Sequence, residues 1–588
     1  MSAAERPRAR RTGATALLAA VCAVAAALRF TGLGWGAPFF HFHIDEHFVF
    51  SGADMLRRSL DEASRSPKFF MYGPLPMWML DAVRAVYERV AAPLVLSRKA
   101  DEITYMVMGR AISAALGTAC VPLVFLIARR VAGTAAGLLA ALLLACSVVQ
   151  LRESHFFSVD ISMLFFSTLA WLFAMRIVET GRLRDYVFAG LSLGAAVSSK
   201  YTALFMVAVL GVAHLLAPGR PRLRDLRDLR DLRSRSSRLR DLRDWVGRGV
   251  TPLVVAPVVF AAVDPMALKY FRKFLDDIDY WVIQVNSGGW QPIFMAQFAD
   301  IHPRTYWFTN VLWWGLGPAL EITGLVGVVW LLARRDRRAG VAAAFPIAYY
   351  AAVGQGIGPF MRYAAPFAVG LSVAAGVLLA DLLRRRPFRL AAIAAAVVVC
   401  GTTALYAAAY MNVFRSPDVR LTASDWLTRN VPPGAKILVE PSHNIPPTGT
   451  YLTDVDFNHD YVLWRNSERQ DYYRFTSLDT YQYLYDRRTT DDQRRAYIAS
   501  HLAAADWIVM DDTFLQFYQH LPESQAGVMK EYYRDLFAGR LGFQLVKTFK
   551  IYPSLFRRAI NDDDAEMTFR LFDHPRVFVF ARSAPAAP

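Results

Sequence analysis

The sequence predicts an α-helical polytopic membrane protein that carries a C-terminal soluble α/β domain, and three observations predict it. The 588 residues are 54% hydrophobic, with a mean hydropathy of +0.24. Apolar runs of about 15–25 residues recur, the length that spans hydrocarbon. Arginines sit in short clusters between those runs, which is the positive-inside pattern. From about Ser416 the long runs give way to short strand-like and helical stretches. The net charge of +16 would also suit a nucleic-acid binder, but its clustering assigns it to membrane topology, and no nucleic-acid partner is expected.

The N-terminus, Arg6-Pro-Arg-Ala-Arg-Arg11 before an Ala/Leu run, reads as an uncleaved signal-anchor with its basic end in the cytoplasm. The first span is Ala14–Phe30. An outer segment over 31–104 follows, with amphipathic stretches at Phe48–Leu60 and Pro76–Val95 suited to the membrane surface. Ile103–Ala128 returns to Arg129-Arg130, Ala135–Val149 goes out, and Ile161–Val178 comes back. Tyr186–Val197 and Tyr201–Leu216 flank an outer turn at Ser198-Ser-Lys200. The low-complexity loop at 218–248, RLRDLRDLRD-like, interleaves opposite charges and reads as a solvated cytoplasmic segment without function of its own. Gly249–Val263, an outer loop over 264–305, then Val311–Leu332, Val341–Val353, Ala364–Leu382 and Leu390–Ala409 complete about eleven spans. That count places every strongly basic connection inside. It divides the chain into a transmembrane domain, 1–415, and an extracytoplasmic α/β domain, 416–588. The soluble domain has strands expected at Ala435–Glu440, Trp507–Met510, Phe543–Phe549 and Val577–Ala581, with Glu531–Ala538 helical. Cys22, Cys120, Cys146 and Cys400 all fall in apolar segments, which excludes a disulfide framework.

Chemistry-bearing residues collect at the outer face. Asp45-Glu46, set among aromatic residues just after the first span, suits general-base work on an acceptor hydroxyl. Arg152, His155 and Asp160 return to the same face at the start of the fourth span. Lys200, Arg362 and Arg110 are cations on the side where the positive-inside trend disfavours them, so each asks for a partner. A lipid phosphate at headgroup depth would supply one. For Arg110 an internal ion pair with Asp45, Glu46 or Asp160 is the competing use. His41, His43, Asp45 and His47 alternate, so an extended segment would put them on one face, where they could hold a divalent cation. The aromatic stretch Tyr472–Tyr485 suits sugar stacking or, more simply, core packing.

In this order the motifs resemble a known family. A basic N-terminus, one span and then Asp45-Glu46 is similar to the start of lipid-carrier-dependent glycosyltransferases of the GT-C fold, nearest the protein O-mannosyltransferase and aminoarabinose-transferase group. Arg110-Ala-Ile-Ser-Ala-Ala-Leu-Gly117, Asp160, Ser199-Lys200-Tyr201, Asp264-Pro265, Trp313-Trp-Gly-Leu-Gly317, Arg362-Tyr-Ala-Ala-Pro366 and Phe572-Asp-His-Pro-Arg-Val577 extend the likeness along the chain. The resemblance implies a polyprenyl-phosphate-linked sugar as donor, inversion at the anomeric carbon, and an acceptor protein, lipid or glycan. It implies Asp45 as base, Glu46 in support, and Asp160 with Arg152, His155 and Tyr363 shaping the site. Lys200, Arg362 and Arg110 would hold the donor phosphate. No cofactor is required by that chemistry, since fixed cations can stabilise a phosphate leaving group; His43, Asp45 and His47 leave a divalent cation as an option. The implied location is the plasma (inner) membrane, N-terminus inside and C-terminal domain outside.

A transporter or lipid-linked glycan flippase is the alternative. Against it stand the lack of an inverted repeat and the placement of the acids at the interface rather than the midplane.

Overall fold

The computed structural model describes residues 5–37, 43–61, 70–91, 102–219, 232–288, 291–440, 442, 446, 452–455, 461–464 and 473–583. His41 and residues 220–231 of the low-complexity run lie outside them. The chain forms two compact units. The first comprises 1–33, 48–283 and 307–408, and the second 34–47, 284–306 and 409–588.

The first unit is helical. Among the described residues, six stretches are long and apolar enough to cross a membrane: Thr12–Phe30, Thr104–Ala145, Val159–Thr180, Arg240–Val263, Met361–Arg384 and Arg386–Asn430. Tyr201–Leu215 and Pro318–Ala333 are shorter apolar helices. The helix Glu102–Ala145 breaks at Ala132 and Gly133, whose φ of 79° is left-handed. This break falls beside Arg129-Arg130, where the sequence turns the chain between two spans. Arg334 and Arg384 donate to the carbonyls of Val131 and Ala132 freed by the break, and Asp381 binds both arginines. Small residues bring the interior helices together. A Cβ on Gly376 would lie 2.7 Å from the Ala136 carbonyl oxygen, an approach that only glycine permits.

Arg29 is fully buried at the end of the first span. Its guanidinium reaches Gln150 Oε1 and the carbonyls of Ala25, Ala145 and Leu144. One fork therefore satisfies the carbonyl end of Glu102–Ala145 and ties it to the helix Val148–His155.

The second unit is built on a five-stranded mixed sheet. Its strands are β1 Lys436–Val439, β2 Arg474–Ser477, β3 Trp507–Asp511, β4 Phe543–Phe549 and β5 Val577–Arg582, in the order β2-β1-β3-β5-β4. β1 runs parallel to β2 and β3, while β5 is antiparallel to β3 and β4. Strand alternation sends Leu438, Ile508, Met510, Phe578 and Phe580 to one face, under helices Asp491–Ala504, Thr513–His520 and Glu523–Phe537. Ile437, Val439, Val509, Val577 and Val579 face the other way, against Val419–Asn430. Both sides are apolar because both are covered. The helix expected at Glu531–Ala538 begins earlier, at Glu523. Within the aromatic stretch Tyr473 lies in the core on one face of the sheet, and Tyr481 and Tyr485 pack against the core on the other.

One polar group is buried in this unit with unusual support. His574 sits between Asp573 (2.6 Å) and Asp562 (2.7 Å). Burial opposes its charge, but the two carboxylates outweigh burial and lift it to about 9. An unfolded histidine titrates near 6.5, so the fold binds this proton more tightly than the unfolded chain does. The stabilisation is complete below about pH 6.5 and is lost as pH rises through about 9, roughly 3 kcal/mol in all. Hydrogen exchange of segment 562–582 in the intact protein, corrected for intrinsic rates, should therefore quicken across that window. His574→Asn should remove the difference, and equal pH dependence in both proteins would refute the assignment.

Candidate functional site

Asp160 lies in the first turn of Val159–Thr180, where the helix N-terminus favours a negative charge. It accepts a hydrogen bond from Lys200 Nζ at 2.7 Å, and both residues are buried. Lys200 follows the Ser198-Ser199 turn and leads into the short helix Tyr201–Phe205. Its ammonium stands 4.6 Å from the centre of the Tyr363 ring, and the Arg362 guanidinium lies 5.4 Å from the same ring. Tyr349 donates to the Tyr363 carbonyl at 3.0 Å and so fixes that turn.

The helix Val148–His155 is buried along its whole length although it reads Val-Val-Gln-Leu-Arg-Glu-Ser-His. Arg152 pairs with Glu153. Arg152 and Arg110 each lie over Phe156, at 5.8 and 5.7 Å. Arg110 Nη1 donates to the Leu33 carbonyl at 3.0 Å. The His155 ring nitrogens meet the carbonyls of Leu151 (2.8 Å) and Thr31 (3.0 Å). Sequence reasoning named Arg152 and His155 and passed over Glu153 between them. Burial pushes the Glu153 carboxyl up to about 7, against the opposing charge of Arg152, while Asp160 raises it and Arg362 lowers it. The signal available was an acid flanked by Arg and His at the head of a span.

The Lys200 turn is held by the loop before the helix Leu75–Val86. Gly73 and Leu75 N–H groups donate to the carbonyls of Ser199 (3.2 Å) and Ser198 (3.0 Å), and Ser199 Oγ meets Ser162 Oγ at 2.9 Å. A Cβ on Gly73 would stand 2.1 Å from the Ser198 carbonyl oxygen, so only glycine fits. Gly73→Ala should push the turn away from Asp160, costing about 1–3 kcal/mol and lowering activity about tenfold or more. Thermal unfolding and turnover, both unchanged, would refute this.

Asp45 and Glu46 belong to the second unit. They occupy the first turn of Ile44–Asp61 and are buried. The Glu46 N–H donates to His43 Nδ1 at 3.4 Å, and the His43 ring packs on Phe572 with centroids 4.3 Å apart. The extended segment on which a metal set was expected is thus corrected: the chain turns helical at Ile44. Residues two apart on a helix point to different sides, so Asp45 and His47 do not share a face, and His43 instead caps the helix. Among the described residues no group of three His, Cys, Asp or Glu is arranged to hold a metal ion. Asp264 is likewise a cap, accepting from Ala267 N–H at 3.0 Å.

The fold and this cluster together define a class: a multi-pass helical membrane protein with cations gathered around a buried acid and a separate α/β unit. Residues 105–226 match the family model described as dolichyl-phosphate-mannose-protein mannosyltransferase. That stretch holds Arg110, Arg152, His155, Asp160 and Lys200, in agreement with the resemblance read from the sequence. Among solved structures, the chain is similar to the oligosaccharyltransferase of Archaeoglobus fulgidus tethered to an acceptor peptide. That match has 13% identity, covers 88% of this chain and 71% of that one, and has a TM-score of 0.49. For ArnT of Cupriavidus metallidurans in the apo state the figures are 13%, 97% and 98%, with a TM-score of 0.46. For the S. cerevisiae protein O-mannosyltransferase Pmt1-Pmt2 complex bound to the sugar donor they are 18%, 45% and 34%, with a TM-score of 0.33. No curated protein sequence matches the chain.

Proposed function

We propose that the protein transfers a sugar from a polyprenyl-phosphate-linked donor to an acceptor hydroxyl at the outer face of the plasma membrane, with inversion. The observation that carries this reading is the buried Lys200–Asp160 pair, whose ammonium lies against the Tyr363 ring that the Arg362 guanidinium shares. Two cations on one ring at the outer end of a span are placed as a phosphate-binding pair would be, and a lipid phosphate at headgroup depth suits them. Support comes also from the family model over 105–226, whose described donor is a lipid-phosphate sugar.

In this reading Asp45 accepts the acceptor hydroxyl's proton as its oxygen attacks the anomeric carbon. The bond to the phosphate breaks, and polyprenyl phosphate leaves with the electron pair. Glu46 orients the acceptor. Lys200, Arg362 and Arg110 meet the growing charge on the leaving phosphate, and Asp160 holds Lys200 in place. Residues 1–415 are the transmembrane transferase domain with its N-terminus cytoplasmic, and 416–588 an extracytoplasmic domain.

The test is Arg362→Gln, which removes a charge and leaves the Asp45 residue itself unaltered. It should raise KM for a polyprenyl-phosphate sugar about 10–100-fold, the worth of a hydrogen bond to a charged group. An unchanged KM would contradict the phosphate assignment.

A further inference from the structure

The segment that follows the span Leu232–Val263 presents an apolar face that the described residues leave uncovered. After Asp264 caps Pro265–Lys269, the helix Phe271–Ile278 begins at once. Leu268, Phe271, Leu275 and Ile283 are each about half exposed. On a helix, Phe271, Phe274, Leu275 and Ile278 share one side, while Arg272, Lys273, Asp276 and Asp277 occupy the other. Phe274, at the inner margin of the apolar side, packs against Tyr201 (5.6 Å), Phe260 (5.9 Å) and Phe70 (5.7 Å). The rest of that side faces outward.

We propose that residues 265–283 form an interfacial helix seated in the lipid headgroup layer, with Phe271 and Leu275 inserted among the acyl chains. Three features name lipid as the occupant. The segment starts one residue after the span ends at Val263, so its depth is that of the membrane surface. A second amphipathic helix is tied to the same level. Trp78 Nε1 donates to the Val263 carbonyl at 3.0 Å, and that helix exposes Val83, Val86 and, just beyond it, Val90. Finally, the polar side of Phe271–Ile278 carries both signs of charge, as suits water and headgroups above an apolar floor. The helix is also fastened to the Lys200 turn. Asp277 accepts the Phe70 N–H at 2.7 Å, and Phe274 contacts Tyr201, the residue after Lys200. Seating this helix in lipid therefore sets the depth of Lys200 below the headgroups. The inference stands on the multi-pass architecture and holds whichever reaction the protein performs.

The test uses the full chain with Cys22, Cys120, Cys146 and Cys400 replaced by alanine and one cysteine placed at 271, 272, 275 or 276. Each variant is labelled with an environment-sensitive fluorophore and reconstituted in phosphatidylcholine–phosphatidylglycerol vesicles. Labels at 271 and 275 should be quenched by spin-labelled lipid about threefold more than labels at 272 and 276, with aqueous iodide giving the reverse order. Equal access of iodide to all four positions would overturn the proposal. So would protection of 271 and 275 from both quenchers, which would show that protein, such as a second copy of the chain, covers the face. If the cysteine-free chain fails to fold, the unaltered protein in vesicles containing a diazirine lipid serves instead. Adducts on 268–275 would support lipid seating, and their absence beside adducts on the spans would overturn it.

Discussion

Asp45→Asn should reduce sugar transfer by about 10²–10⁴-fold, the range that a positioned general base contributes, while leaving donor binding unchanged. The substitution keeps size and shape and removes the negative charge together with the capacity to take a proton. Asp45 sits in the first turn of Ile44–Asp61 beside a backbone cap made by His43, so an amide there should not unfold the helix. The favourable effect of an acid in the first turn is worth about 0.3–1 kcal/mol, far less than the expected loss in rate. Turnover falling together with donor affinity would show that Asp45 shapes the site instead of acting as base.

Lys200→Met should cost still more in total, because it damages both fold and chemistry. The pair Lys200–Asp160 is buried at 2.7 Å, and removing one partner leaves an uncompensated charge, a loss of about 3–5 kcal/mol. Removal of a cation proposed to meet the leaving phosphate should also slow transfer about 10²–10³-fold. The two contributions separate in the double variant Lys200→Met with Asp160→Asn. Neutralising both partners should restore most of the melting temperature and none of the activity. Restored activity would mean that the pair serves the fold alone.

The sequence made the membrane body legible because its signals are long and repeated. Apolar runs survive as helices, six of them long enough to cross a membrane among the described residues, and the later part of the chain carries the sheet. The strands β1, β3, β4 and β5 were legible from their β-branched and aromatic runs. Other elements were not legible, two of them for definite reasons. Arg474–Ser477 is short, half exposed and without alternation. Asp491–Ala504 is mostly polar, so periodicity is weak, although Thr490 and Gln493 form the capping box that marks its start. At the candidate site, individual cations were visible but their partners were not. Nothing local in the sequence pairs Lys200 with Asp160, forty residues away, or places Gly73 against Ser198. The alternation of His43, Asp45 and His47 suits a strand, but Asp45-Glu46 after His43 is equally a helix start, and the chain is helical from Ile44.

The most direct measurement is the fate of a labelled polyprenyl-phosphate sugar given to the purified wild-type protein in liposomes, across a panel of sugars. The account predicts that at least one donor is consumed, yielding polyprenyl phosphate and a sugar joined to acceptor or water. Donors that cross the bilayer intact, with none consumed, would contradict it and make the protein a lipid transporter.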